Sequence, residues 1–191
     1  MPPLILASTS PYRRMLLERL GVPFSVEGPG VSEATVAGES PVQRARRLAE
    51  AKAQAVAMRH PEAIVIGSDQ VAAAGEMLLE KPGTLTRARE QLALLSGAQA
   101  RFYTACAIAA PGRFSAVHLD ETRVFFRALS AAEIERYVVR ETPLDCAGGF
   151  KVEALGIALF ERIESTDPTA LIGLPLIWVG ALLRRLGHAV P

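Results

Sequence analysis

A chain of 191 residues suits one α/β domain, or two closely packed lobes, and a single folding unit over 1–191 is expected. With 50% hydrophobic and 21% charged residues it can bury a sizeable core, which excludes a disordered chain. Lys plus Arg number 21 against 20 for Asp plus Glu, so no whole-molecule field draws the chain to nucleic acid or an anionic membrane, and any basic site must be local.

The first predicted element is a buried strand at Leu4-Ile5-Leu6-Ala7; the N-terminus has no basic leader and does not read as a signal peptide. Ser10 as N-cap and Pro11 at the first helical position then predict a helix over Pro11–Leu20. Good helix formers predict a second over Pro41–Met58, and Ala63–Gly67 reads as another buried strand with Asp69 just past its end. A third helix is expected over Thr84–Leu95, closed by Ser96-Gly97. Two long β-type runs, Gln99–Ala109 and Phe114–Arg127, joined through Ala110-Pro111-Gly112-Arg113, predict an antiparallel hairpin and hence a mixed sheet. Ser130 with Glu133 forms a capping-box signature for a helix to about Val139. A strand near Ile157–Ile163 and a helix over Ile172–Leu186 complete an α/β fold. The most apolar late stretch, Ala170–Leu183, contains Pro175 and falls short of the roughly 20 residues that cross a bilayer, so a cytoplasmic chain with no membrane partner is expected. Cys106 and Cys146 are too few and too far apart for a disulfide framework or a zinc site, and read as buried free thiols.

Chemistry concentrates at the predicted strand ends. The N-terminus of the first helix offers unpaired N–H groups and a partial positive charge, a natural phosphate site, to which Ser8 and Ser10 add hydroxyls and Arg13 and Arg14 guanidinium groups. Cations there oppose the helix dipole, a conflict that an anionic ligand resolves; a capped helix with solvated arginines is the alternative. At about 100° per residue Lys52 falls among Ala45, Leu48, Ala49, Ala55 and Val56 on the apolar face of its helix, while Arg46, Arg47, Glu50 and Gln54 lie opposite. It either snorkels or meets a partner, because an unpaired buried ammonium is costly. Asp69, after a strand of apolar residues, can hold Mg²⁺ or accept a proton from water; it can equally cap a loop. Lys81 precedes a proline and is biased to extended backbone, and Asp145–Glu153 is a small-residue loop with Lys151 and Glu153 at its end. Phosphate-loop, dinucleotide, zinc-peptidase and serine-hydrolase motifs are all missing. Separated cations with a few carboxylates remain, a set suited to hydrolysing a polyphosphate with a divalent metal.

In order, Ser8-Thr9-Ser10-Pro11-Tyr12-Arg13-Arg14, Glu33, Glu50-Ala51-Lys52-Ala53, Gly67-Ser68-Asp69-Gln70, Lys81-Pro82, Cys146–Glu153 and Gly173-Leu174-Pro175-Leu176 resemble the Maf family across nearly the whole chain. The resemblance implies a two-lobed α/β fold of the inosine-triphosphate-pyrophosphatase type, with a mixed sheet, flanking helices and a cleft between lobes, and often a homodimer. It implies hydrolysis of a nucleoside triphosphate to a monophosphate and pyrophosphate, with a divalent cation, Mg²⁺ or Mn²⁺. By position Asp69 looks like the proton acceptor and a metal ligand and Glu33 the second acidic metal residue, while Ser8, Arg13, Lys52, Lys81 and Lys151 match the phosphate-contacting set. Two positions depart: Ser32 stands where the family commonly has Asp, and Tyr12 where it more often has Trp.

Ser68-Asp69-Gln70 and Phe150-Lys151-Val152-Glu153 look like the subgroup that hydrolyses 7-methyl-GTP; the dTTP/UTP subgroup usually carries Ala-Asp-Thr and a Gln-Gly pair. Tyr12, Gln70 and Glu153 are the expected base-selecting residues, since an N7-methylated guanine is cationic and favours an aromatic face and a carboxylate. The competing expectations are a dTTP/UTP or broad modified-nucleotide pyrophosphatase, and a nucleotide-binding regulator linked to septum formation.

Overall fold

The structure, a computed structural model, describes residues 2–112 and 114–191; Met1, and Arg113 of the expected hairpin connection, lie outside the described residues. The strands are β1 (Leu4–Ala7), β2 (Ser25–Glu27), β3 (Ile64–Ala74), β4 (Met77–Leu79), β5 (Gln99–Ala110), β6 (Phe114–Phe126) and β7 (Phe160–Glu164). The helices are α1 (Pro11–Glu18), α2 (Pro41–Ala57), α3 (Leu85–Leu95), α4 (Ala131–Glu141) and α5 (Leu176–Arg185). The strand order is β2-β1-β3-β5-β6-β7, with β4 on β3. β1 runs parallel to β2 and β3, while β4 and β7 are antiparallel to their neighbours, so the sheet is mixed as expected.

The chain divides into two compact units. The first takes the chain up to Gln70, Tyr103–Asp120 and everything from Asp167; the second takes Val71–Phe102 and Glu121–Thr166. In the first, period-two alternation sorts the central strands onto two faces. Leu4 and Leu6 of β1 and Ile64 and Ile66 of β3 join Leu16 and Leu17 of α1 and Val179, Leu182 and Leu183 of α5 in one cluster. Ile5, Ala7 and Val65 point the other way and pack with Val56 of α2. In the second unit α3 packs on α4, and four aromatic rings interlock edge to face. Phe150 is their hub, with centroids 5.4 Å from Phe102, 5.5 Å from Phe126 and 4.9 Å from Phe160.

Helix starts follow their caps. Ser10, Ser40, Thr84 and Ser130 each accept from the backbone N–H three residues on, and Ser40 and Ser130 form full capping boxes. Four boundaries differ from expectation. α1 stops at Glu18, with left-handed Gly21 beyond its end. α5 begins at Leu176, because Gly173 (φ +122°) and Pro175 interrupt the run, and Ala170–Ile172 forms a separate 3₁₀ turn. β7 starts at Phe160 because Leu155–Leu159 is also 3₁₀. β3 runs on to Ala74, so Asp69 lies inside the strand and not past its end. Gly67 reads as a strand terminus in sequence but instead marks a close backbone approach: a Cβ there would sit 2.4 Å from Ala49 O and 2.5 Å from Ala53 N of α2. The short strands β2 and β4 carried no expected signal. Of the two thiols, Cys106 is buried and Cys146 only partly so.

Candidate active site

Asp69 keeps the position that made it interesting. The β1–β3 parallel ladder pairs Leu4 through Ala7 with Ile64 through Gly67, so Asp69 stands two residues beyond its carboxyl end. α2 crosses this point at the bare Gly67 and delivers Lys52 to it. Lys52 Nζ donates to Asp69 Oδ1 at 2.6 Å and meets Glu33 Oε1 at 2.6 Å. The Lys52 and Asp69 side chains are only 6% and 9% exposed, whereas Glu33 is 59% exposed. The inward lysine thus has a partner and does not snorkel.

Burial pushes the Asp69 carboxyl above its ordinary 3.8, and the charges of Lys52 and Arg13 oppose that shift without cancelling it. Burial lowers the Arg13 guanidinium from its usual value, opposed by Asp69, Cys106 and Glu33. Its Nε donates to Gly173 O at 3.0 Å. Ser8 is buried and its Oγ accepts from Ser10 N at 3.1 Å, closing the turn into α1. Tyr12 is half-buried in the first turn of that helix. Gln70 uses its amide nitrogen inside the protein, donating to Thr104 Oγ1 at 3.0 Å, Ala170 O at 3.1 Å and Leu171 O at 2.9 Å. These three partners fix which way its carboxamide faces.

The Glu33 loop is held from α2 by two arginines, of which helical periodicity assigns Arg47 only to a solvated face. Arg47 grips Glu39 (2.5 and 2.7 Å) and donates to Ala34 O at 3.2 Å, and Arg44 donates to Glu33 O at 3.4 Å. Sequence reasoning assigned no role to either arginine, to Ser68 and Thr104, whose partners lie far away in the chain, or to Asp167, whose partners Thr169 and Ile177 lie two and ten residues on. An acidic residue two positions before Thr169 was the one local signal available for Asp167.

In the second unit, Lys151 has a built cradle. Its N–H donates to Tyr137 Oη at 3.0 Å and its Nζ to Glu141 O at 3.4 Å, with the Glu141 carboxylate at 3.8 Å and Asp145 at 4.0 Å. Gly156 lies so close that a Cβ would meet Lys151 O at 2.3 Å. Lys81 is exposed, on a loop tied to the same region by Gly83 N donating to Leu144 O at 3.0 Å, and Glu153 is exposed. The structure thus gathers Lys52, Asp69 and Glu33 directly, with Arg13 electrostatically coupled to them, and groups the Lys81 and Lys151 loops in the second unit.

Among the described residues no set of three His, Cys, Asp or Glu is arranged to hold a metal ion. Asp69 and Glu33, converging on one ammonium, are nevertheless a hard-oxygen pair of the kind that binds Mg²⁺ together with water and substrate phosphate. No helix among the described residues is long and apolar enough to cross a membrane.

The chain is thus a mixed α/β protein in which a buried cation lies between two carboxylates just beyond the carboxyl end of a parallel ladder. Residues 3–186 match the family model described as Maf-like protein, and the chain belongs to that family. It is 55% identical over 191 residues to a protein of Xanthomonas campestris pv. campestris named 7-methyl-GTP pyrophosphatase, covering 100% of both chains. A protein of Aromatoleum aromaticum with the same name is 51% identical over 190 residues, 98% of this chain and 97% of that one. Among solved structures, a nucleoside-triphosphatase (dITP/XTP pyrophosphatase) from Mycobacterium abscessus aligns with TM-score 0.44 and 20% identity over 66% of this chain and 75% of that one.

Proposed function

We propose that the chain, as one Maf-like domain, is a nucleoside triphosphate pyrophosphatase that hydrolyses 7-methyl-GTP to 7-methyl-GMP and pyrophosphate. The relatives named for that activity share half or more of its residues over essentially full length. The observation that carries the chemistry is the Lys52 ammonium held between Asp69 and Glu33 at 2.6 Å. In this reading the Asp69 carboxylate accepts a proton from water as the water oxygen bonds to the α-phosphorus and the bond to the pyrophosphate leaving group breaks. Lys52 orients Asp69, and Arg13, Ser8, Lys81 and Lys151 are the groups assigned to the phosphates. A divalent cation, Mg²⁺ or Mn²⁺, held by Asp69 and Glu33, supplies charge neutralisation on the phosphates. Tyr12, Gln70 and Glu153 are assigned to base choice. The amide nitrogen of Gln70 is engaged by Thr104, Ala170 and Leu171, so what it offers a base is an acceptor oxygen.

Pyrophosphate release from a panel of triphosphates with Mg²⁺ or Mn²⁺ tests the reading. 7-Methyl-GTP is expected to give the highest kcat/KM, and chelation to abolish turnover until metal is restored. Equal or better turnover of dTTP or UTP would reject the substrate. Nucleotide binding with no pyrophosphate release would reject the enzyme.

A further inference from the structure

The segment Asp167-Pro168-Thr169 lies well away in sequence from Arg13, Ser68 and Gln70, yet it anchors a loop that hydrogen-bonds all three. α5 begins after Pro175, which brings no side-chain cap of its own. The cap comes from Asp167, whose buried carboxylate accepts from Ile177 N at 2.7 Å through Oδ2. Through Oδ1 it accepts from Thr169 N at 2.9 Å and lies 2.6 Å from Thr169 Oγ1. The Thr169 hydroxyl in turn accepts from Leu176 N at 2.9 Å and lies 2.8 Å from Leu174 O. Two side chains therefore clamp both ends of the loop from Thr169 to Ile177.

Clamped this way, the loop turns its carbonyls toward β3 and α1. Gly173, at φ +122°, directs one oxygen to two donors, Arg13 Nε at 3.0 Å and Ser68 Oγ at 2.8 Å. A Cβ on Gly173 would stand 3.2 Å from Arg13 Nε, so the arginine side chain rests on the bare backbone. Ala170 O and Leu171 O take the Gln70 amide. The residues on either side of Asp69 are thus hydrogen-bonded to this one loop. Ser68 has a single proton for two carbonyls, Gly173 O and Ala105 O, each at 2.8 Å. While Arg13 satisfies Gly173 O, the Ser68 proton is free to serve Ala105 O.

We propose that Asp167 and Thr169 are positioning residues for Arg13, acting through the Gly173 carbonyl, so that the guanidinium is aimed at the substrate phosphates before they bind. The inference rests on the pyrophosphatase reading for the role of Arg13, and not for the geometry. Preorienting a charged donor lowers the ordering cost of binding. Loss of the clamp is therefore expected in affinity first and in turnover second.

The test is a double-mutant cycle on the full chain. Asp167→Asn and Thr169→Val are each combined with Arg13→Lys, which keeps a charge but has no Nε to meet Gly173 O. Tripolyphosphate affinity is measured by calorimetry, and KM and kcat for 7-methyl-GTP with Mg²⁺. Each single clamp variant is expected to weaken affinity and raise KM by roughly tenfold, with a smaller effect on kcat. Thr169→Ser, which keeps the hydroxyl, is expected to restore wild-type values. In the Arg13→Lys background neither clamp variant should add a further loss of tripolyphosphate affinity, a readout with no base for Gln70 to meet. Equal losses in both backgrounds, or a lower Tm with unchanged affinity and KM, would overturn the proposal. If Asp167→Asn does not fold, the Thr169→Val cycle decides alone. Coupled tripolyphosphate binding without pyrophosphate release from any triphosphate would sink the enzymatic reading and leave the clamp standing. A wild type with no affinity for tripolyphosphate would overturn the clamp's purpose.

Discussion

The Lys52 ammonium holds together two acids with different surroundings. Asp69 is buried and its carboxyl is pushed above 3.8, while Glu33 reaches solvent. A carboxyl whose folded pKa exceeds its unfolded value makes the folded state the better proton binder between the two. Stability therefore falls as pH rises through that window, and the ionised Asp69 is a net cost above it. Asp69→Asn is accordingly expected to keep or raise Tm at neutral pH while lowering kcat/KM by about a hundredfold or more, as calorimetry and pyrophosphate release would measure. In the metal-free protein the Asp69 carboxyl, followed by carbon-13 NMR, is expected to titrate above its ordinary 3.8, and Lys52→Met should move it further up by removing the main opposing cation. A titration that moves down in Lys52→Met would contradict the pairing of Asp69 with Lys52. Lys52 was legible as an oddity because helical periodicity placed it on an apolar face. Its two partners were not, since Glu33 lies on the loop before the helix and Asp69 on the strand after it.

Gly67 shows how two elements create that pair. α2 approaches β3 closely enough that only a residue without Cβ fits between Ala49 and Ala53, and Lys52 is the neighbour of that contact. Gly67→Ala is expected to cost roughly 1–3 kcal/mol, because the obstructing atoms are backbone, and to lengthen the 2.6 Å Lys52–Asp69 pair. The expected readout is a lower Tm together with a fall in kcat/KM; unchanged activity would show that the close packing does not set the pair. Four helix starts were legible, because caps are local: Ser10, Ser40, Thr84 and Ser130 all act within four residues. The start of the fifth helix was not. α5 begins late because its cap is Asp167, a residue separated from it by a 3₁₀ turn and a left-handed glycine.

Over the whole molecule, neither compact unit is continuous in sequence. The first needs Leu4, Leu6, Ile64 and Ile66 from its early segment, Cys106 and Ile108 from the middle, and Leu174, Val179 and Leu183 from the end to complete one core. A fragment ending at Gln70 retains Lys52, Asp69 and Glu33 but lacks the later core partners. It is expected to show no cooperative thermal transition by circular dichroism, whereas the full chain does; a cooperative fragment would mean that the early segment carries its own core. The sequence by itself determined the mixed α/β class, the strand that leads to Asp69, the caps at Ser10 and Ser130 and the inward face of Lys52. Each rests on periodicity or on bonds between near neighbours, which a linear pattern encodes. Tertiary structure alone decided that β3 continues through Asp69, that Arg44 and Arg47 hold the Glu33 loop, and that Asp167 clamps the carbonyls serving Arg13, Ser68 and Gln70. Those outcomes depend on hydrogen bonds and close approaches between distant segments, which exist only once the chain has brought them together.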